Sequence, residues 1–168
     1  AGKKVKVLGN IGEPLIAEIM SEQPIDLIYV IELSSYQLDD LDYSPKIAVV
    51  TSLYSDHLDH HGSLDEYFNA KRNVMRRQLA NDVFVYDGEN ATMAEWALYA
   101  NGKTIDVHTA AVCEVAESPL KGDHNKKNIR LATAVCRELG VRDEDIRTAI
   151  RSYVPLDHRM QLVGTFKN

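Results

Sequence analysis

The chain lacks any apolar run near the ~20 residues a bilayer-spanning helix needs, so no membrane partner is expected. No secretory signal is visible either, although the sequence begins at Ala1 rather than Met. Cysteine is nearly absent. Cys113 and Cys136 are too few for a metal cluster, and both sit in apolar runs as small buried thiols do in a reducing compartment. A cytoplasmic location is the corresponding expectation. Basic charge is short too: 19 Lys and Arg against 25 Asp and Glu give a net charge of −6. That balance argues against a nucleic-acid backbone as the main partner. Repeats and low-complexity tracts are missing. So is a P-loop: Gly102-Lys103-Thr104 imitates its end, but Ala97 stands where that motif needs glycine. The tripeptide also leaves a predicted helix and enters a strand, the reverse of the P-loop order.

What is present is one domain or part of one. Its 168 residues, 45% hydrophobic and 26% charged, are enough to bury a core. A short strand is predicted over 4–8, followed by Gly9-Asn10-Ile11-Gly12, then a short helix over 13–20 with Pro14 in its first turn. The strand predicted over 26–33 contains Leu27-Ile28-Tyr29-Val30-Ile31, a continuous apolar run typical of a strand covered on both faces. Glu32 ends that run, and Ser34-Ser35-Tyr36-Gln37 follow outside any assigned element. Further strands are predicted at 47–51, 82–86, 104–107 and 112–115. Helices are expected over 63–79, 91–99, 125–139 and 143–152. A loop at 155–159 and the start of another element at 162–166 complete the chain. Alternating strands and helices imply an α/β fold, a mostly parallel sheet with helices on both faces. The ligand crevice of such a sheet lies beyond the carboxyl ends of its strands.

Three consecutive strands carry polar motifs at that end: Gly9 to Gly12, Glu32 with Ser34 to Gln37, and Asp56 with His57. A carboxylate ending a buried strand is costly without a partner. Glu32 and His57 suit either a Mg²⁺ or Mn²⁺ site of mixed ligands or a plain Glu–His hydrogen bond. The run from Asp56 to His61 also invites a two-metal phosphohydrolase reading. Six residues of one short loop cannot converge on one centre, however, and His60 and His61 read as solvated loop residues before a helix cap at Ser63. Asn125 and Asn128, at i and i+3, continue the apolar stripe of Ala132, Val135, Cys136 and Leu139. Two inward amides suit a planar ligand such as a nucleobase; N-capping explains Asn125 but less easily Asn128. Arg159 offers a planar fork for phosphate.

The helix after Ser63 has Leu64, Tyr67, Phe68, Val74 and Met75 on one stripe, with Lys71 in its middle. Such a lysine snorkels to water, marks the edge of the stripe, or is held for chemistry.

Taken together, these residues resemble the Mur ligases, and within them the D-glutamate-adding branch. The matching stretches are Gly9-Asn10-Ile11-Gly12, Glu32-Leu33-Ser34-Ser35-Tyr36-Gln37-Leu38, Asp56-His57-Leu58-Asp59, Tyr67 with Ala70-Lys71, Gly122-Asp123-His124-Asn125 with Asn128, and His158-Arg159. They follow the family's order over nearly the whole chain. The Glu-Leu-Ser-Ser-aromatic-Gln-Leu stretch is the most specific. Ser52 and Gln161 depart from the family's usual Asn and Glu, and the P-loop is missing.

The resemblance implies an incomplete central ATPase domain over residues 1–154, with 155–168 leading towards a C-terminal domain. It implies ATP-driven amide formation, in which the carboxylate of UDP-N-acetylmuramoyl-L-alanine becomes an acyl phosphate attacked by the amine of D-glutamate. By the same carry-over, Glu32 and His57 ligate Mg²⁺, and Lys71, carbamylated by CO₂, supports the metal as an anion. Asn10, Ser34 and Gln37 touch the muramoyl substrate, Asn125 and Asn128 hold adenine, and Arg159 meets the γ-phosphate. Asp56 and Tyr67 match supporting positions. Two other readings stay open: a non-catalytic module for nucleotide or UDP-sugar, and the folate-polyglutamate branch, which fits Ser34 to Leu38 poorly. A Gly-Lys-Ser/Thr loop encoded upstream of Ala1 separates the ligase from the module.

Overall fold

A computed structural model describes residues 3–19, 26–54, 58–110 and 118–155 of the chain. Its elements are β1 (Val5–Gly9), α1 (Leu15–Ile19), β2 (Ile28–Glu32), α2 (Ser35–Asp39), β3 (Ile47–Val49), α3 (Leu58–His61), α4 (Leu64–Arg76), β4 (Val83–Tyr86), α5 (Ala91–Leu98), β5 (Lys103–Asp106), α6 (Asp123–Glu138) and α7 (Asp143–Ser152). The helices α2 and α3 were not expected. The strand expected at 112–115 and the segments beyond 155 lie outside the described residues.

All strand pairings are parallel, as the alternating order requires. They form a β1-β2 pair and a β3-β4-β5 sheet. In the larger sheet β4 is central, and its side chains alternate with the strand period of two. Phe84 and Tyr86 face a core of Ala48, Met75, Met93 and Trp96, so α4 and α5 cover that side. Val83 and Val85 face Leu131 and Ala134 of α6 on the other. Here the α/β/α layering predicted from the element order is present.

The β1-β2 pair departs from expectation. The apolar run of β2 was read as buried on both faces, yet Val30 and Ile31 are 50% and 44% exposed and β1's Val5 53%. A continuous apolar run records that a strand is suited to burial; what covers it must come from elsewhere. Leu8 of β1 is nonetheless 1% exposed, and the short α1 is tied to the pair through buried Glu18. That carboxylate takes Lys6 Nζ at 2.8 Å and the Tyr29 hydroxyl at 3.0 Å, and the Lys6 hydrogen bond holds it below its ordinary pKa against the opposing effect of burial.

Helix limits follow local chemistry. Ser63 caps α4 by accepting the Glu66 N–H, and Asn90 caps α5 by accepting that of Met93. Gly102 and Lys103 lead from α5 into β5, as expected of a chain segment that is not a P-loop. No helix among the described residues is long and apolar enough to cross a membrane.

Candidate active site

The carboxyl edge of the β1-β2 pair brings the first two polar motifs together. Gly9 is in register with Glu32, and the Asn10 N–H donates to the Glu32 carbonyl at 3.1 Å. Gly9 has φ +102°, and a Cβ there would collide with the same carbonyl, so only glycine closes this turn. The turn then folds back: Gly9 N–H donates to the Glu13 carbonyl and Glu13 N–H to that of Val7, both at 3.1 Å. Asn10 and Glu32 therefore lie beside each other, both exposed. Glu32 is not the buried carboxylate the apolar run suggested, because the strand carrying it is open to solvent.

Ser34 and Gln37 have a structural task that sequence reading missed. They form a capping box on α2: the Ser34 hydroxyl accepts the Gln37 N–H, while Gln37 Oε1 accepts the Ser34 N–H at 3.0 Å. The signal was in the Ser-x-x-Gln spacing, which is that of the box itself. The side-chain NH₂ of Gln37 is not part of it.

On α4 the buried face is Tyr67, Ala70, Asn73 and Met75, so the apolar stripe also carries a buried amide. Lys71 sits half-buried at its border, with Nζ 5.2 Å from the centroid of the Tyr67 ring one turn away. Asn73 ties α4 to α2, donating to the carbonyls of both Leu38 and Asp39 at 3.0 Å. The Leu38 carbonyl also accepts the Leu41 N–H at 3.2 Å, whereas Asp39 is the last residue of α2, where a carbonyl has no partner within the helix. The Arg77 guanidinium adds a bond to the Leu41 carbonyl at 2.7 Å. Asn73→Leu should therefore cost about 1–3 kcal/mol in urea denaturation, the penalty for losing two amide bonds and stranding the Asp39 carbonyl. A smaller loss would mean that water replaces the amide.

His61 corrects a second expectation. It is 6% exposed and its Nε2 lies 3.0 Å from Ser35 Oγ, so it is a buried, hydrogen-bonded residue rather than a solvated one. His60 is exposed, as expected, and its ring lies 4.2 Å from that of Tyr36.

Asn125 and Asn128 line a cavity of about 500 Å³ between α6 and α7, with Ile129, Ala132, Cys136 and Ile146. Capping is not the role of Asn125: Gly122 is the N-cap, and the Asn125 amide donates back to the Lys121 carbonyl at 2.7 Å. Burial pushes the Cys136 thiol up, away from reactivity. Between the two amides, Lys127 reaches Asp87 at 2.7 Å and Glu89 at 2.6 Å, fastening the first turns of α6 to the carboxyl end of β4. Sequence reading missed this contact, since the partners lie far apart in the chain.

Burial alone would raise the Asp87 carboxyl, but the Lys127 bond and the Glu89 N–H outweigh it and hold the group below its ordinary 3.8. The Lys127 contribution is thus complete above pH 3.8 and disappears as pH falls through the depressed value. Lys127→Met should cost about 1–2 kcal/mol at neutral pH, near the low end for charged hydrogen bonds because the ammonium is partly in water. Denaturation curves of the two proteins should converge in strong acid. A difference that persists there would assign the effect to packing instead.

Residues 2–118 match the Mur ligase middle domain. The chain belongs to the Mur ligase family. It is 31% identical to a UDP-N-acetylmuramoylalanine–D-glutamate ligase of Bacillus cereus (strain Q1), over 99% of this chain and 42% of that protein. It is 32% identical to a protein of the same name from Gloeobacter violaceus, over 99% and 41%. The chain thus spans about two fifths of the length of the curated relatives it matches. A crystal structure of MurF from Acinetobacter baumannii shares the fold with a TM-score of 0.64 at 15% identity, covering 97% of this chain and 48% of that one.

Of the Mur ligase site residues expected from sequence, the structure joins Asn10 to Glu32. It also seats Ser34 and Gln37 on a helix packed along the one that carries Lys71. Asn125 and Asn128 share the cavity between α6 and α7. Asp56, His57, His158 and Arg159 lie outside the described residues.

Proposed function

We propose that this chain is the central nucleotide-binding part of an ATP-dependent ligase that joins D-glutamate to UDP-N-acetylmuramoyl-L-alanine in cytoplasmic synthesis of the peptidoglycan precursor. Its extent is residues 1–154, with 155–168 as the connection onward. The observation that carries the reading is the linked edge of β1, β2 and α2. There Asn10 adjoins Glu32, and Ser34 and Gln37 follow at the start of α2, which Asn73 holds to the Lys71 helix. Relatives of that name align over nearly the whole chain.

In this reading the γ-phosphoryl group of ATP passes to the alanyl carboxylate, and the D-glutamate amine displaces phosphate to form the amide. Glu32, an exposed carboxylate oxygen at the sheet edge, is the donor type Mg²⁺ or Mn²⁺ takes. His57 and carbamylated Lys71 would complete the protein's share of that site. Bound there, the cation neutralises charge on the transferring phosphoryl group. Asn125 and Asn128 present amides to the adenine from one wall of the cavity, and Arg159 meets the γ-phosphate.

The test uses the natural protein that carries this chain, supplied with ATP, Mg²⁺, the muramoyl substrate and labelled D-glutamate. Phosphate release that depends on D-glutamate, with one labelled amide per phosphate, is the expected result. Preference for L-glutamate and a folate acceptor would move the protein to the other branch. The 168 residues alone contain no P-loop motif, and ADP release from them should stay at background with both substrates present.

A further inference from the structure

The geometry points to a second metal site, unrelated to the Mg²⁺ reading, in which Asp39, His60 and His61 bind one transition-metal dication of the Zn²⁺ class. One ligand atom from each of the three lies within 4.8 Å of the others, bridging the end of α2 and the end of α3. Two imidazoles and one carboxylate form a donor set that favours Zn²⁺, Co²⁺ or Ni²⁺ over the oxygen-seeking Mg²⁺.

Closure is a small step. Donors in a tetrahedral shell at about 2.0–2.2 Å from a metal stand about 3.3–3.6 Å apart. The set therefore needs to contract by at most about 1.5 Å. Asp39 and His60 are exposed, while His61 is the fixed member. Its ring is buried, bonded through Nε2 to Ser35, itself 3% exposed, and packed 5.5 Å from the Tyr67 ring. A ligating histidine whose other nitrogen is held by a neighbour is the usual second-layer arrangement of metal sites. Tyr36 lies against both imidazoles, at 4.2 Å and 5.6 Å, and limits how far His60 can swing. The charge is favourable as well, since Asp39 is followed by Asp40 and Asp42. A bound ion would clamp α3 to α2, the helix capped by Ser34 and Gln37.

Titration with Co²⁺ of the natural protein that carries this chain, in excess Mg²⁺ and read by visible absorption and by calorimetry, tests the assignment. One saturable site is expected, displaced by Zn²⁺. Asp39→Asn and His60→Ala, both exposed positions that leave the fold intact by circular dichroism, should each weaken it at least tenfold. Ser35→Ala should weaken it about tenfold or more through the freed ring of His61. Glu32→Ala, which removes a donor of the Mg²⁺ reading, and His124→Ala should leave the Co²⁺ signal unchanged. No saturable site in the wild type, or undiminished binding in the Asp39→Asn/His60→Ala double variant, would overturn the site. Loss of the signal in Glu32→Ala would assign the metal to the other centre.

Discussion

On the proposed function, replacing Lys71 by alanine in the natural protein is expected to reduce amide formation by about 10²–10³-fold, the scale of losing one charged group that supports phosphoryl transfer. The expectation follows from position and charge. Lys71 is half-buried at the border of the α4 stripe, against the Tyr67 ring. An ammonium beside a divalent cation is repelled. In the proposed site, reaction of a neutral Lys71 amine with CO₂, with release of a proton, would reverse the sign of the side chain, and the long stem would carry the carbamate towards the metal. Acetate should therefore restore part of the alanine variant's activity by supplying the missing anion. Lys71→Arg should stay inactive, since its guanidinium remains cationic. Labelled bicarbonate should give a carbamate carbon resonance in the wild type that the alanine variant lacks. Full activity in the arginine variant would refute the carbamate.

Phe84→Ala is expected to destabilise the chain by about 3–5 kcal/mol. Phe84 is fully buried at the centre of the middle strand, with Tyr86 stacked at 5.2 Å and Met75, Met93 and Trp96 around it. No neighbour can fill the space of a lost ring without moving α4 or α5 off the sheet. Since domains are stable by only about 5–15 kcal/mol, the variant should be close to unfolding at physiological temperature. Leu79→Ala, at a position 71% exposed, is the matched control and should change the urea midpoint little. Similar midpoints for the two variants would show that the sheet does not organise the core as described.

Several of the candidate residues depend on neighbours that fasten their elements. Lys71 and Asn73 are two positions apart on α4, and Asn73 holds the end of α2. Loss of Asn73 should thus disturb Ser34 and Gln37 as well as stability. Asn125 and Asn128 depend in the same way on Lys127, whose ion pairs anchor their helix to β4.

What the sequence determined by itself was local. The strand at β4, the helices α4 to α7 and the cap at Ser63 follow from short-range periodicity and from side chains bonding their own backbone neighbours. The parallel order followed from alternation, and the family from motifs spread along the chain. Even α2 was legible, had the Ser34-x-x-Gln37 spacing been read as a cap. Burial was different, because it depends on which distant element arrives to cover a surface. The β2 run looks internal yet lies open, and His61 looks like a loop residue yet is enclosed by Ser35, Tyr36 and Tyr67. Asn73 occupies a polar place on an apolar face because α2's last carbonyls happen to end there. Lys127 finds Asp87 across forty positions of chain, a contact no local pattern encodes. Each of these was decided by the meeting of elements far apart in sequence, where only tertiary packing says which polar groups find partners and which apolar faces do not.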